Sequence, residues 1–234
     1  MPDDIRLTSR RERGKDARRS RIVDAAYDLL REVGVDDLSV KMIADRADLS
    51  PATVYNLFGA KGAVLAKVYE RDFEAFSSKV AGAGSASALD AIFDSVRIAV
   101  DLYRGDPSFY RGMSIRHPQD ERELVISVQG PRQAFFRDLL ARAVREGDLA
   151  QAARTDLASL VMLQMSGGAF GYWCADLITL EEMELQTSYA FALLLMGLAR
   201  PSGRTKLQAR VAAIEARLAP EAQRPTATAT ATAG

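Results

Sequence analysis

The sequence predicts an all-α fold: an N-terminal three-helix unit joined to a larger helical part. Three observations carry this prediction. Aromatic residues make up only 7% of the 234 while Ala and Leu abound, a balance that favours helix over strand. Apolar side chains recur at three- and four-residue spacing, and no stretch alternates convincingly with period two. The breaks between periodic stretches carry helix caps and prolines, among them Gly34, Ser39, Ser50-Pro51, Pro107, Pro118, Gly147 and Pro201.

Taken in order, residues 1–16 are charged, lack apolar periodicity and are expected to form a mobile basic arm. The formal net charge of the chain is zero, yet from Arg10 to Arg21 seven basic residues (Arg10, Arg11, Arg13, Lys15, Arg18, Arg19 and Arg21) stand against Glu12 and Asp16 alone. Such a local excess reads as one charged contact surface, or otherwise as a solvated face. A first helix is expected from Lys15 to Val33, with Ile22, Ala25, Ala26, Leu29, Leu30 and Val33 on its buried side and Gly34 as its cap. Ser39 caps a short helix over 40–47, Ala47-Asp48-Leu49 make a tight turn, and Ser50-Pro51 start a third helix that ends at Phe58-Gly59. A fourth helix spans 60–80, and residues 81–85 form a linker. Further helices fit 86–104, 107–116, 120–146, 153–177, 180–200 and 203–218, with Gly130-Pro131 expected to kink or break the longest. The Ala-Thr repeats of 220–234 are low in complexity and expected to be disordered. The expected units are therefore 1–16, 17–62, 63–219 and 220–234.

Residues 39–58 have the layout of a helix-turn-helix. Ile43, Ala44 and Ala47 form a small inner face, Leu49 plugs the turn, and Val54, Leu57 and Phe58 hold the second helix. Ala52, Thr53 and Asn56 are left outside, short enough to reach base edges in a major groove that admits one helix. Ser50 and Tyr55 are placed to donate to phosphates. The bland readings are an ordinary helical corner and a half-buried core tyrosine at Tyr55.

The segment resembles the DNA-binding domain of the TetR family of bacterial regulators. The resemblance runs over about residues 18–66: Ile22-Val-Asp-Ala-Ala26, Leu29-Leu30, Gly34, Ser39, Ile43-Ala44, Ala47, Ser50-Pro-Ala-Thr-Val-Tyr55, Phe58 and Lys61. Asn56-Leu57 departs from the basic or aromatic residues many relatives carry there. The resemblance implies phosphate contacts from Tyr55 and Lys61, and base contacts from Lys41 and Pro51–Asn56. With the two capping residues, the expected DNA-binding set is Ser39, Lys41, Ser50, Pro51, Ala52, Thr53, Tyr55, Asn56 and Lys61.

The resemblance also implies a ligand-binding and dimerisation domain downstream. Phe93, Val96, Val100, Tyr103, Phe109, Met113, Phe136, Leu140, Met162 and Met165 are the expected lining of a pocket for a largely apolar small molecule, with plain core packing as the alternative for each. Glycines inside a helix each cost about 1 kcal/mol, so Ser166-Gly167-Gly168-Ala169-Phe170-Gly171 calls for a compensating close approach. The resemblance places that helix in a homodimer interface with Ser166, Gly167, Phe170, Gly171, Trp173 and Leu194; Phe170 and Trp173 could instead stand on the pocket wall, and intrachain packing is the other reading. A dimer suits DNA, whose successive major grooves repeat about every 34–36 Å.

An enzyme is a weaker fit. One histidine, His117, and one cysteine, Cys174, exclude most metal and Cys-His constellations, and no cofactor or metal is expected. Gly82-Ala-Gly84 lacks a third glycine and a preceding strand, and Gly59-Ala-Lys-Gly62 lacks the phosphate-loop pattern. His117, beside Pro118, reads as a surface or capping residue, or else as a polar pocket group. A helical protein-interaction module is the other alternative. The single cysteine fits a reducing cytoplasm, and the longest apolar run, Tyr189–Ala199, is far short of the ~20 residues of a membrane span. The expected partners are an operator DNA duplex, a second copy of the chain and an effector, with no membrane.

Overall fold

The computed structural model describes residues 3–114 and 122–218, which form ten helices and no strand; one isolated antiparallel bridge pairs Leu149 with Ala199. The readings of His117 and of the Ala-Thr tail lie outside these residues. Helix α1 spans Asp3–Asp37 and is interrupted at Gly34, whose φ of 74° is open to glycine and strained for other residues. It starts well before Lys15, so the segment expected as an arm is helical from Asp3. Arg, Lys and Glu are good helix formers, and the i,i+3 pair Asp16–Arg19 adds to the turn. The loss of apolar periodicity there marks where burial stops, not where the helix does.

Helices α2 (Val40–Arg46) and α3 (Pro51–Phe58) follow as the caps require. The Ser39 hydroxyl accepts from the Met42 N–H and the Ser50 hydroxyl from the Thr53 N–H, each at 3.2 Å. Asp48 turns the chain between them at a φ of 53°, a left-handed conformation that Asp tolerates better than most residues. Ile43, Ala44 and Val54 are buried against Ile22, Ala26 and Leu30 of α1, which closes the three-helix unit.

Helix α4 (Lys61–Gly82) leaves this unit and leads to α5 (Ala88–Gly105), α6 (Pro107–Gly112), α7 (Arg122–Arg145), α8 (Thr155–Cys174), α9 (Leu180–Met196) and α10 (Pro201–Leu218). Helix α7 is not broken at Gly130-Pro131: it runs on with Pro131 in its interior. Proline removes one backbone hydrogen bond, but packing of α7 on α4, α5 and α8 holds the helix across the gap. The apolar interior has two parts. One joins α1–α4 to α6 and reaches Trp173 and Met183; the other lies among α5, α7, α8, α9 and α10.

The first part runs across the boundary expected at residue 62, because α6 packs directly on α1. Gly112 sits so close that an added Cβ would meet the Leu30 carbonyl oxygen at 1.8 Å. Beside it, the Tyr27 and Phe109 rings lie 4.0 Å apart, and Arg31 donates from Nε to Asp106 at 2.8 Å while covering the Tyr27 ring. The α1–α4 contact is tied by an Arg71–Asp24 ion pair.

Candidate functional site

The exposed side of the helix-turn-helix carries most of the expected DNA-contacting set. Lys41, Pro51, Ala52, Tyr55 and Asn56 are exposed. Tyr55 is 53% exposed, which removes the reading of it as a core tyrosine. Proline at the first turn of α3 fixes the backbone without losing a helix hydrogen bond. Thr53 is half-buried, and its hydroxyl shares a hydrogen bond of 2.9 Å with Ser50, so both hydroxyls belong to the cap. Lys61 donates to the Val35 carbonyl at 3.3 Å, bringing its ammonium to the junction of α1 and α4. Arg46 is bound by both guanidinium arms to Glu32 at 2.7 and 2.9 Å, which fastens α2 to α1.

A cavity of about 110 Å³ lies between α4, α5, α7, α8 and α9. Five phenylalanines line it: Phe73, Phe76, Phe135, Phe136 and Phe191, with neighbouring ring centroids 5.3–6.0 Å apart. A second space of about 410 Å³ opens towards α6 and α8 and shares Asp72, Tyr103, Tyr110, Arg132, Leu163 and Ser166 with the first. At this shared end, the Tyr110 hydroxyl donates to Asp72 at 2.8 Å. Burial pushes the Asp72 carboxyl above its usual range, against the pull of the Tyr110 hydrogen bond and of Arg132 and Arg71. Burial also raises the Tyr103 hydroxyl to about 12.

Of the residues expected to line a pocket, Val96, Tyr103 and Phe136 face the first space and Met113 the second. Phe93, Val100, Phe109, Leu140, Met162 and Met165 do not. Val100, Phe109, Leu140 and Met162 are wholly buried between helices, Phe93 lies under the guanidinium of Arg210, and Met165 packs on the second apolar cluster. Helical periodicity marks a buried face but does not separate packed core from cavity wall. Asp72, Tyr110 and Arg132, the polar end, escaped the sequence reading because charged residues at helical spacing look like solvated surface.

On α8, Ser166 donates to the Met162 and Leu163 carbonyls and faces the cavity. Gly167 and Gly171 are exposed, and nothing in the chain would meet a Cβ at either, so intrachain packing does not explain them. Phe170 is half-buried on the wall of the second space. Trp173 is buried and stacked on Tyr103 at 5.5 Å and 11°, with Arg111 over its face. It is therefore held inside the chain rather than offered to a partner, because the aromatic cluster around Tyr103 covers it. Leu194 is half-buried against the second apolar cluster. The large exposed apolar side chains here are instead Leu157, Leu160, Tyr172, Leu177 and Leu193. Among the described residues no group of His, Cys, Asp and Glu has the arrangement of a metal site, and no helix is long and apolar enough to cross a membrane.

This is a two-part all-α architecture: a helix-turn-helix unit packed against a helical body that encloses a cavity. Residues 22–68 match the model of the bacterial regulatory proteins of the tetR family. Over 60 residues the chain is 43% identical to the uncharacterized HTH-type transcriptional regulator YdeS of Bacillus subtilis, covering 25% of this chain and 30% of that protein. Over 59 residues it is 39% identical to an uncharacterized HTH-type regulator of Mycobacterium tuberculosis, covering 25% and 28%. The similarity thus spans less than a third of either relative. The fold is shared more widely. FadR of Thermus thermophilus, a TetR-family repressor in complex with lauroyl-CoA, superposes with a TM-score of 0.62 at 20% identity over 78% of this chain and 96% of that one. RolR in complex with resorcinol does so with a TM-score of 0.60 at 20% identity over 91% and 96%. Residues 22–68 are thus similar to the DNA-binding domain of tetR-family regulators, and the fold as a whole is that seen in TetR-family structures.

Proposed function

We propose that this chain is a dimeric, sequence-specific DNA-binding regulator, and specifically a repressor released from its operator by a small molecule with a largely apolar body. The observation that carries the reading is the exposed face of α3, with Tyr55 and Asn56 outward on a helix whose other side is buried in the three-helix unit. A helix so presented fits a major groove, and the basic residues of α1 beside it supply charge for phosphates. The cavity supports an effector role. FadR and RolR, with the same fold, are each complexed with a small molecule. The linkage runs through two helices: Asp72 of α4 and Tyr110 of α6 meet at the cavity, and both helices pack on α1. A ligand that binds more tightly to the state with displaced headpieces shifts the population away from DNA.

The test is a gel-shift and footprinting assay on the DNA flanking the chain's own gene. A sequence-specific shift that weakens steeply with salt is expected. Its absence overturns the reading. An inducer is expected to weaken operator affinity with the dimer intact; a ligand that splits the dimer would refute release by displacement of the helix-turn-helix units.

A further inference from the structure

We propose that the cavity takes a compact carboxylic acid, its carboxylate held by Arg132 and its apolar body by the surrounding phenylalanines. This rests on the reading of the cavity as the effector site and names the chemical class of the effector.

Arg132 is half-buried on α7 and lines both connected spaces. Its guanidinium lies 5.9 Å from the Phe73 ring centroid. Among the described residues it makes no ion pair and no hydrogen bond. Other arginines of the helical body, such as Arg104, Arg111, Arg142 and Arg210, are each bound to a carboxylate. Asp72, on which Arg132 acts through space without a direct pair, accepts its hydrogen bond from the Tyr110 hydroxyl. A half-buried cation beside aromatic rings is costly unless an anion or acceptor completes it. The planar fork of guanidinium donors matches a carboxylate in two parallel hydrogen bonds, and arginine gives up its hydration more readily than lysine.

The rest of the wall sets the body of the ligand. Phe73, Phe76, Phe135 and Phe136 are mutually tilted, leaving faces and edges for a ring or a short hydrocarbon chain. One cation on an apolar wall suits a monoanion and gives a polyphosphate no second partner. The cavity volume of about 110 Å³ keeps the apolar body of the ligand compact. Asp72 adds selectivity: its carboxyl can donate to the ligand when protonated and repels a second negative charge when ionised.

The experiment is calorimetric titration of the full chain with 3-phenylpropionate and with 3-phenylpropan-1-ol, which differ only in the head group. The acid is expected to bind about tenfold more tightly or better, reflecting a charge-assisted pair. Arg132→Gln is expected to erase that preference while the alcohol binds as before, and Arg132→Lys to keep part of it. Circular dichroism and melting of each variant check that it folds, and the wild-type comparison needs no variant. Equal or better binding of the alcohol, no binding of either probe, or an acid preference that survives Arg132→Gln overturns the proposal. A gel shift without ligand is run in parallel, so that a wrong ligand class with intact DNA binding is distinguishable from failure of the regulator reading.

Discussion

Tyr55 and Asp72 show how far one side chain reaches in this molecule. Tyr55 projects from α3 with its ring more than half exposed. If its hydroxyl donates to a phosphate, Tyr55→Phe removes one hydrogen bond at little cost to folding. Operator affinity is then expected to fall by about three- to tenfold in a gel shift, uniformly across operator variants. Unchanged affinity would remove Tyr55 from the contact set. Asp72 makes the opposite kind of prediction. Its carboxyl is raised in the folded chain, first by burial, so the fold favours the protonated form. Its contribution to stability is complete below the unfolded value, near 4, and is lost as pH rises through the raised one. Asp72→Asn keeps an acceptor for Tyr110 and removes the charge. The variant is expected to melt at higher temperature than wild type at about pH 7.5, with the gain shrinking towards about pH 4. A constant or reversed difference across that range would contradict the assignment.

At the scale of elements, the short helices were legible because their ends are encoded locally. Ser39, Ser50-Pro51 and Gly59 fix α2 and α3 through caps that need only neighbouring backbone. The long helices were less legible. Helix α1 outlasts its apolar face, and α7 passes through Pro131, because propensity in one case and packing in the other override the local signal. The seat of α6 on α1 could not be read at all: Gly112 looks like any helix-ending glycine until Leu30 is seen against it. Gly112→Ala would drive a Cβ into the Leu30 backbone, and neither helix can yield without moving the other. The substitution is expected to destabilise the chain by roughly 1–3 kcal/mol and to weaken communication between cavity and headpiece. Thermal melting and inducer titration of the gel shift measure the two effects. Wild-type stability would mean that the α1–α6 contact loosens in solution.

For the molecule as a whole, the outer side of α8 and α9 is an uncovered apolar face. Leu157, Leu160 and Tyr172 on α8 and Leu193 on α9 are exposed, and the uncovered glycines 167 and 171 would let a second backbone approach. This is the face the proposed dimer would bury. Placing charge there with Leu160→Glu and Leu193→Glu is expected to give a folded monomer by analytical ultracentrifugation, with much weaker operator binding. A stable dimer from the double variant would move the interface elsewhere. The glycine run stood out in the sequence, whereas the exposure of the leucines that border it did not, since an exposed and a buried leucine have the same periodicity. Trp173 shows the reverse error, a large aromatic expected to serve an interface and found stacked within the chain.

Sequence by itself determined the all-α class, the helix-turn-helix and the outward set of Lys41, Ala52, Tyr55 and Asn56, because these depend on spacing and capping within a few residues. Tertiary structure decided which apolar residues wall a cavity and which fill the core. It also brought Asp72, Tyr110 and Arg132 from three helices to one place and set α6 against α1. Those outcomes depend on how helices far apart in sequence meet, and no local pattern encodes the space left between them.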